Sequence, residues 1–160
     1  MPLPAISDDD RPNQTPWPPI IEGGVLAAAW LLEQVFPLSM MMTSLPVRLA
    51  GWSVVLAGLA VAVAGLRYFQ AIGTTFSPTG RAAMLASGGI YGWTRNPMYL
   101  GAVVAFLGLA FALGSAWLLI LTLLMPIALR KLAIEREEAY LRRRFGTAYD
   151  TYCAKVRRWL

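Results

Sequence analysis

Arg95 lies in the stretch Gly89-Ile90-Tyr91-Gly92-Trp93-Thr94-Arg95-Asn96-Pro97-Met98-Tyr99-Leu100-Gly101, beside two tyrosines, a tryptophan and a proline. A second polar cluster, Glu135-Arg136-Glu137-Glu138, follows the next apolar run. A guanidinium is a planar cation matched to a carboxylate. Glu137 and Glu138 offer anions, and Tyr91, Trp93 and Tyr99 offer faces that attract cations. Gly88, Gly89 and Gly92 let backbone approach a ligand closely. Together these groups suit a zwitterionic ligand that carries a carboxylate, a cation and a flat ring. The chain has no histidine and one cysteine, Cys153. That excludes an intrachain disulfide, a cysteine-based zinc site and the usual neutral-pH base. Acid–base work falls to carboxylates, tyrosines or the substrate, and no metal is expected.

The elements that position these groups are apolar. Of 160 residues, 57% are hydrophobic and 14% charged, a balance foreign to soluble domains. Mean hydropathy is +0.53. The composition predicts an all-α integral membrane protein, with residues 20–160 as one domain and residues 1–19, Pro-rich and bearing Asp8-Asp9-Asp10, as a disordered cytoplasmic tail. About four transmembrane helices are expected, near 20–42, 47–69, 98–113 and 115–131. The last two form a hairpin turning near Gly114, which returns Glu137 to the side of Arg95. Gly51, Gly58 and Gly65 recur every seven residues, a stripe that suits close helix packing. Glu33 lies within the first span, where a carboxylate faces the bundle interior, lining an acceptor cavity or pairing with a cation.

Residues 70–97 read as a polar cytoplasmic loop. In residues 132–160, Leu141, Phe145, Tyr149, Tyr152, Val156 and Trp159 fall on one helical face, with Gly146 as a break. Cations line the rest, which predicts an interfacial amphipathic helix. Net charge is +5, and the basic residues flank apolar segments. That pattern fits a membrane surface and not nucleic acid. Most Lys and Arg lie in the 70–97 loop and the tail, so both, with both termini, are expected in the cytoplasm, most simply at a bacterial inner membrane.

The stretch from Leu85 to Gly101 resembles the signature of the isoprenylcysteine carboxyl methyltransferase family, which shares its pattern with membrane phospholipid N-methyltransferases. Glu137-Glu138, Leu141, Phe145-Gly146, Tyr149, Tyr152, Val156 and Arg158 resemble that family's carboxy-terminal signature. The resemblance covers roughly residues 68–160. It implies a membrane methyltransferase that uses S-adenosylmethionine, leaves S-adenosylhomocysteine and draws a lipophilic acceptor from the bilayer. By position, it implies cofactor contacts from Leu85, Ala86, Tyr91, Asn96, Pro97, Met98, Tyr99 and Glu137, with Arg95, Glu137 and Glu138 in the catalytic set.

Asn96 stands where many members carry histidine, so it can hydrogen-bond but not titrate. Ala133 stands where eukaryotic members place an arginine for the substrate carboxylate, with Arg130, Lys131 and Arg136 as possible substitutes. The acceptor stays open between an isoprenylcysteine-like carboxylate and a lipid amine or thiol. The alternative is a non-catalytic membrane binding or assembly protein that keeps the fold.

Overall fold

Proline placement sets where the helices begin. Pro18 and Pro19 lie in the first turn of α1 (Trp17–Val35), Pro46 in that of α2 (Leu45–Ala71), and Pro97 opens α3 (Pro97–Leu113). The first turn lacks intrahelical partners for its amides, so a missing N–H is tolerated there. The computed structural model describes residues 13, 15–38, 44–73 and 83–160. Every element among them is helical. α4 (Ala116–Leu129) continues through a π turn (Arg130–Ile134) into α5 (Glu135–Phe145), and α6 (Thr147–Lys155) follows.

The turn between α3 and α4 is local chemistry. Gly114 adopts φ +70°, the left-handed cap that ends many helices. Ser115 then caps α4, its Oγ accepting the Leu118 N–H at 3.2 Å. The hairpin expected at Gly114 is therefore present.

α2 and α3 pack through glycine. Gly51 faces Gly108 and Ala112, Gly58 faces Gly101 and Ala105, and Gly65 faces Pro97 and Met98. A Cβ on Gly51 would lie 2.5 Å from the Ala112 nitrogen. Backbones so close gain dispersion contacts that larger side chains would block. α1 lies against α4 in the opposite sense. Ala29 packs with Ala110 and Leu118, and Ile21 with Met125 and Leu129. The start of α1 is thereby beside the end of α4.

Outside these seams the helices are greasy and exposed. Leu45 and Leu56 are each 68% exposed and Trp30 is 64% exposed. Such surfaces aggregate in water and are solvated by lipid tails. Among the described residues, two helices, Leu45–Ala71 and Ala116–Phe145, are long and apolar enough to cross a membrane. The 27 residues of α2 reach roughly 40 Å against a hydrocarbon core of about 30 Å.

Three expectations change. The boundary at residues 131 and 132 falls inside one helix, because nothing between Leu129 and Phe145 breaks it. The apolar face of the tail turns inward: Tyr149, Tyr152 and Val156 pack with Leu85, Leu141 and Phe145, while Trp159 joins the core around Met125. Within 1–19, Trp17–Pro19 are helical and Asn13 is buried, while residues 1–12 and 14 lie outside the described residues. So do 39–43, with Met40-Met41-Met42, and 74–82 of the 70–97 loop.

Gly58→Val tests the seam. Two methyls driven into the α3 backbone should destabilise the folded protein by about 1–3 kcal/mol or more. Gly23→Ala, which meets open space, is the control. Melting in detergent should drop for the first and stay for the second.

Candidate active site

The first motif folds onto α2 before it reaches the site. The Gly88 N–H donates to Tyr68 Oη at 3.0 Å, and a Cβ at Gly89 would lie 2.7 Å from the Tyr68 ring. These glycines therefore admit the aromatic of α2 rather than a ligand. A short 3₁₀ turn (Gly89–Gly92) then sends Tyr91 inward. Its ring centroid is 5.6 Å from that of Tyr68 and 5.1 Å from that of Phe69. Tyr152 Oη donates to the Tyr91 carbonyl at 2.7 Å, which ties α6 to this turn.

Residues 94–96 hold the end of the chain. The Arg95 N–H donates to the Arg157 carbonyl at 3.0 Å. Thr94 Oγ1 and Asn96 Nδ2 donate to the Arg158 carbonyl at 3.3 and 2.9 Å. The Arg158 guanidinium forks onto Glu138, Nε to Oε1 at 2.9 Å and Nη2 to Oε2 at 2.6 Å. Arg95 Nη1 lies 3.5 Å from the same carboxylate and donates to Cys153 Sγ at 2.6 Å. Loop, α5 and the carboxy-terminal segment after α6 thus meet in one clasp. Bidentate guanidinium–carboxylate pairs are the geometrically strict kind.

Beside the clasp, Tyr99 Oη donates to Glu137 Oε1 at 2.6 Å. Asn13 Nδ2 donates to the same oxygen at 3.3 Å. The π turn helps set this meeting. Its five-residue loops, closed by the Glu135 N–H on the Arg130 carbonyl, turn the polar run differently from a regular α-helix.

Glu137 stands beyond the apolar part of its helix, which ends at Leu129 before Arg130 and Lys131. Burial pushes its carboxyl up to about 7; the hydrogen bonds from Tyr99 and Asn13 oppose that rise, and neighbouring Glu138 adds to it. Burial, the largest cause in each, also raises the phenols of Tyr91, Tyr149 and Tyr152 above their ordinary range. They stay protonated near neutrality, donors and not bases.

The structure brings Arg95, Tyr99, Glu137 and Glu138 together. Asn96 also reaches the clasp, but its amide is spent on the tail carbonyl. Pro97 and Met98 turn toward Gly65 of α2, Leu85 packs on Tyr149, Tyr152 and Val156, and Ala86 is buried nearby in sequence. Trp93 is 83% exposed, as an interfacial aromatic would be. Ala133 is fully buried in the π turn, and Arg130 and Lys131 pair with Glu135 on the outside. Glu33 lies at the other end of the bundle, lining a cavity of about 300 Å³ with Leu26, Trp30 and Ser115. Sequence reasoning missed the roles of Tyr68, Arg158 and Asn13. Arg158 was visible as a motif position, whereas Asn13 had no signal in its polar, Pro-rich surroundings.

A family model described as phospholipid methyltransferase matches residues 47–148. A protein-S-isoprenylcysteine O-methyltransferase of Schizosaccharomyces pombe is 38% identical over 76 residues, 46% of this chain and 31% of that protein. The lamin-B receptor of Drosophila melanogaster is 34% identical over 84 residues, 51% of this chain and 11% of that one. An uncharacterised Haemophilus influenzae protein is 40% identical over 65 residues, 39% of this chain and all of its own. The solved eukaryotic intramembrane Ras methyltransferase, an isoprenylcysteine carboxyl methyltransferase, superposes at a TM-score of 0.57 with 22% identity. That match covers 90% of this chain and 52% of the other, and at this identity it speaks for the fold. The chain therefore spans under a third of the first two relatives' length. Together these matches agree with the resemblance carried by the two motifs.

Glu138→Ala should release the clasp. Arg158 and Arg95 would lose their shared anion, at a cost of about 1–3 kcal/mol. Trypsin should then cut at Lys155, Arg157 or Arg158 faster than in the unaltered protein. Unchanged cleavage would refute the clasp.

Proposed function

The chain belongs to the phospholipid methyltransferase family, and we propose that it moves a methyl group from S-adenosylmethionine to a lipophilic acceptor held in the membrane. The observation that carries this reading is the 2.6 Å hydrogen bond from Tyr99 to Glu137, which joins the two motifs in one site. The local chemistry fits the cofactor. Arg95 Nε is buried without a partner among the described residues, a donor suited to a carboxylate. Glu137 supplies an acceptor for an ammonium or a hydroxyl. When bound, S-adenosylmethionine supplies an electrophilic methyl on a sulfonium.

The protein's own part is binding, orientation and exclusion of water. Alignment of donor methyl and acceptor atom is worth about 7–11 kcal/mol at best. A carboxylate acceptor needs no base. An amine or thiol must lose its proton, and Glu137 is the group whose carboxyl titrates close to neutrality. With Ala133 buried and Arg130 and Lys131 paired with Glu135, Arg136 is the remaining substitute cation, and this reading keeps a lipid amine or thiol beside an isoprenylcysteine-like carboxylate as acceptor.

The same reading has α1 to α4 crossing a bacterial inner membrane, with both termini and the site in the cytoplasm. Arg48, at the opposite end, is consistent with that orientation. Its Nε donates to the Ala112 carbonyl at 3.1 Å and so caps α3, although the residue is exposed.

Isothermal titration of the detergent-purified chain with S-adenosylhomocysteine tests the cofactor. The unaltered protein should bind and Glu137→Ala should not; equal affinity in both would sink the site. Titration with S-adenosylmethionine at several pH values tests the charge. Below about pH 7 Glu137 carries a proton, and above it the anion faces a net-positive ligand. Affinity should therefore rise with pH, by up to about ten-fold per unit below that value. Glu137→Gln should flatten the profile. Methyl-labelled donor added to membranes, followed by mass spectrometry of lipid and protein fractions, identifies the acceptor.

A further inference from the structure

Asn13 precedes α1 and is 2% exposed. Its Nδ2 faces Glu137 Oε1 at 3.3 Å. That oxygen also accepts from Tyr99 Oη, so the amide nitrogen lies on the Glu137 side and the amide oxygen points elsewhere. That oxygen, Oδ1, is enclosed and has no hydrogen-bond partner among the described residues. In the same segment Trp17 Nε1 is likewise enclosed and unpartnered. Enclosed polar atoms that nothing meets are costly to bury. Two of them, an acceptor and a donor, stand in one short segment that reaches the site carboxylate.

We propose that Asn13 is a ligand-binding residue of this site, its Oδ1 accepting a hydrogen bond from an N–H or O–H of the bound methyl donor while its Nδ2 holds Glu137. The proposal rests on the S-adenosylmethionine reading above. It makes Asn13 one side of the ligand site, beside Glu137 of α5 and Tyr99 in the first turn of α3. The ligand group it fits is an amine, an ammonium or a ribose hydroxyl, since a bare carboxylate would face the oxygen unfavourably.

Titration of the full chain in detergent with S-adenosylhomocysteine decides it, using Asn13→Ala and Tyr99→Phe side by side. Both remove a donor to Glu137, but only the first removes the free acceptor. Asn13→Ala should weaken binding about ten-fold or more, and clearly more than Tyr99→Phe. A loss no greater than that of Tyr99→Phe would mean that Asn13 acts only through Glu137, and the proposal falls. Unaltered affinity in Asn13→Ala overturns it too, with the cofactor reading intact. No binding by the unaltered chain would remove the cofactor reading and this proposal together. Hydrogen exchange on the unaltered protein needs no variant to fold. Ligand should slow exchange of the backbone amides over residues 13–17, and no change there would overturn the assignment.

Discussion

A carboxylate taken out of water is costly unless donors reach it, and Glu137 is such a group. Its oxygen takes one hydrogen bond from α3 and one from the segment before α1. Three parts of the chain distant in sequence therefore converge on one atom. Everything that gives the site its shape serves to bring those parts within reach. Tyr99 must sit at the start of α3, Glu137 must turn inward after α4, and Asn13 must arrive from outside the bundle. If any of the three were displaced, a carboxyl largely withdrawn from water would be left short of partners, and the site would open to water.

The helix seams supply that reach. Glycine on both faces lets α2 and α3 approach backbone to backbone, with Gly65 seated on Pro97 and Met98 at one end of the seam. The first turn of α3, and so Tyr99, inherits its position from that contact. At the other end, Gly114 and Ser115 reverse the chain within a few residues. α4 must then run back beside α3, and its continuation carries Glu137 to Tyr99. The clasp of Arg158 and Arg95 on Glu138 adds the last wall. Neighbouring carboxylates thus divide the work. Glu138 is neutralised by guanidinium groups and holds the tail, whereas Glu137 has only the neutral donors of Tyr99 and Asn13 and a carboxyl that burial raises to about 7.

Much of this was legible in the chain. Arg95, Tyr99, Glu137 and Glu138 sit in two ordered motifs, and an apolar hairpin between them forces them to one end. The seven-residue recurrence of glycine announced a packing face, and Gly114 announced the reversal. What stayed hidden depended on geometry that residue types do not encode. The π turn has no sequence signature, since it arises from how the helix accommodates its neighbours. Pro97 and Met98 share a motif with Tyr99, yet a helix sends adjacent residues to different faces, and theirs is toward α2. The inward turn of the tail's apolar face was equally beyond periodicity. A stripe of Tyr149, Tyr152 and Val156 fits a lipid surface or a protein partner alike, and only Leu85 and Tyr91 show which it met. Asn13 was hidden most completely, because composition placed it in a segment without structure.

The two ends of the bundle differ in a way that bears on acceptor choice. The Glu137 end is built from charged pairs, a capped tail and buried phenols, all fixed by mutual hydrogen bonds. The Glu33 end has a mostly apolar cavity whose described lining includes one carboxylate. Group transfer needs its reacting atoms held to a fraction of an ångström, a demand that the hydrogen-bonded first end suits better. On the proposed reading, a lipophilic acceptor would lay its reactive atom near Glu137, while its apolar body would remain among exposed leucines and tryptophans that set no strict shape. Selectivity would then come from the head that reaches the polar end, more than from the tail that lipid can solvate as well as protein.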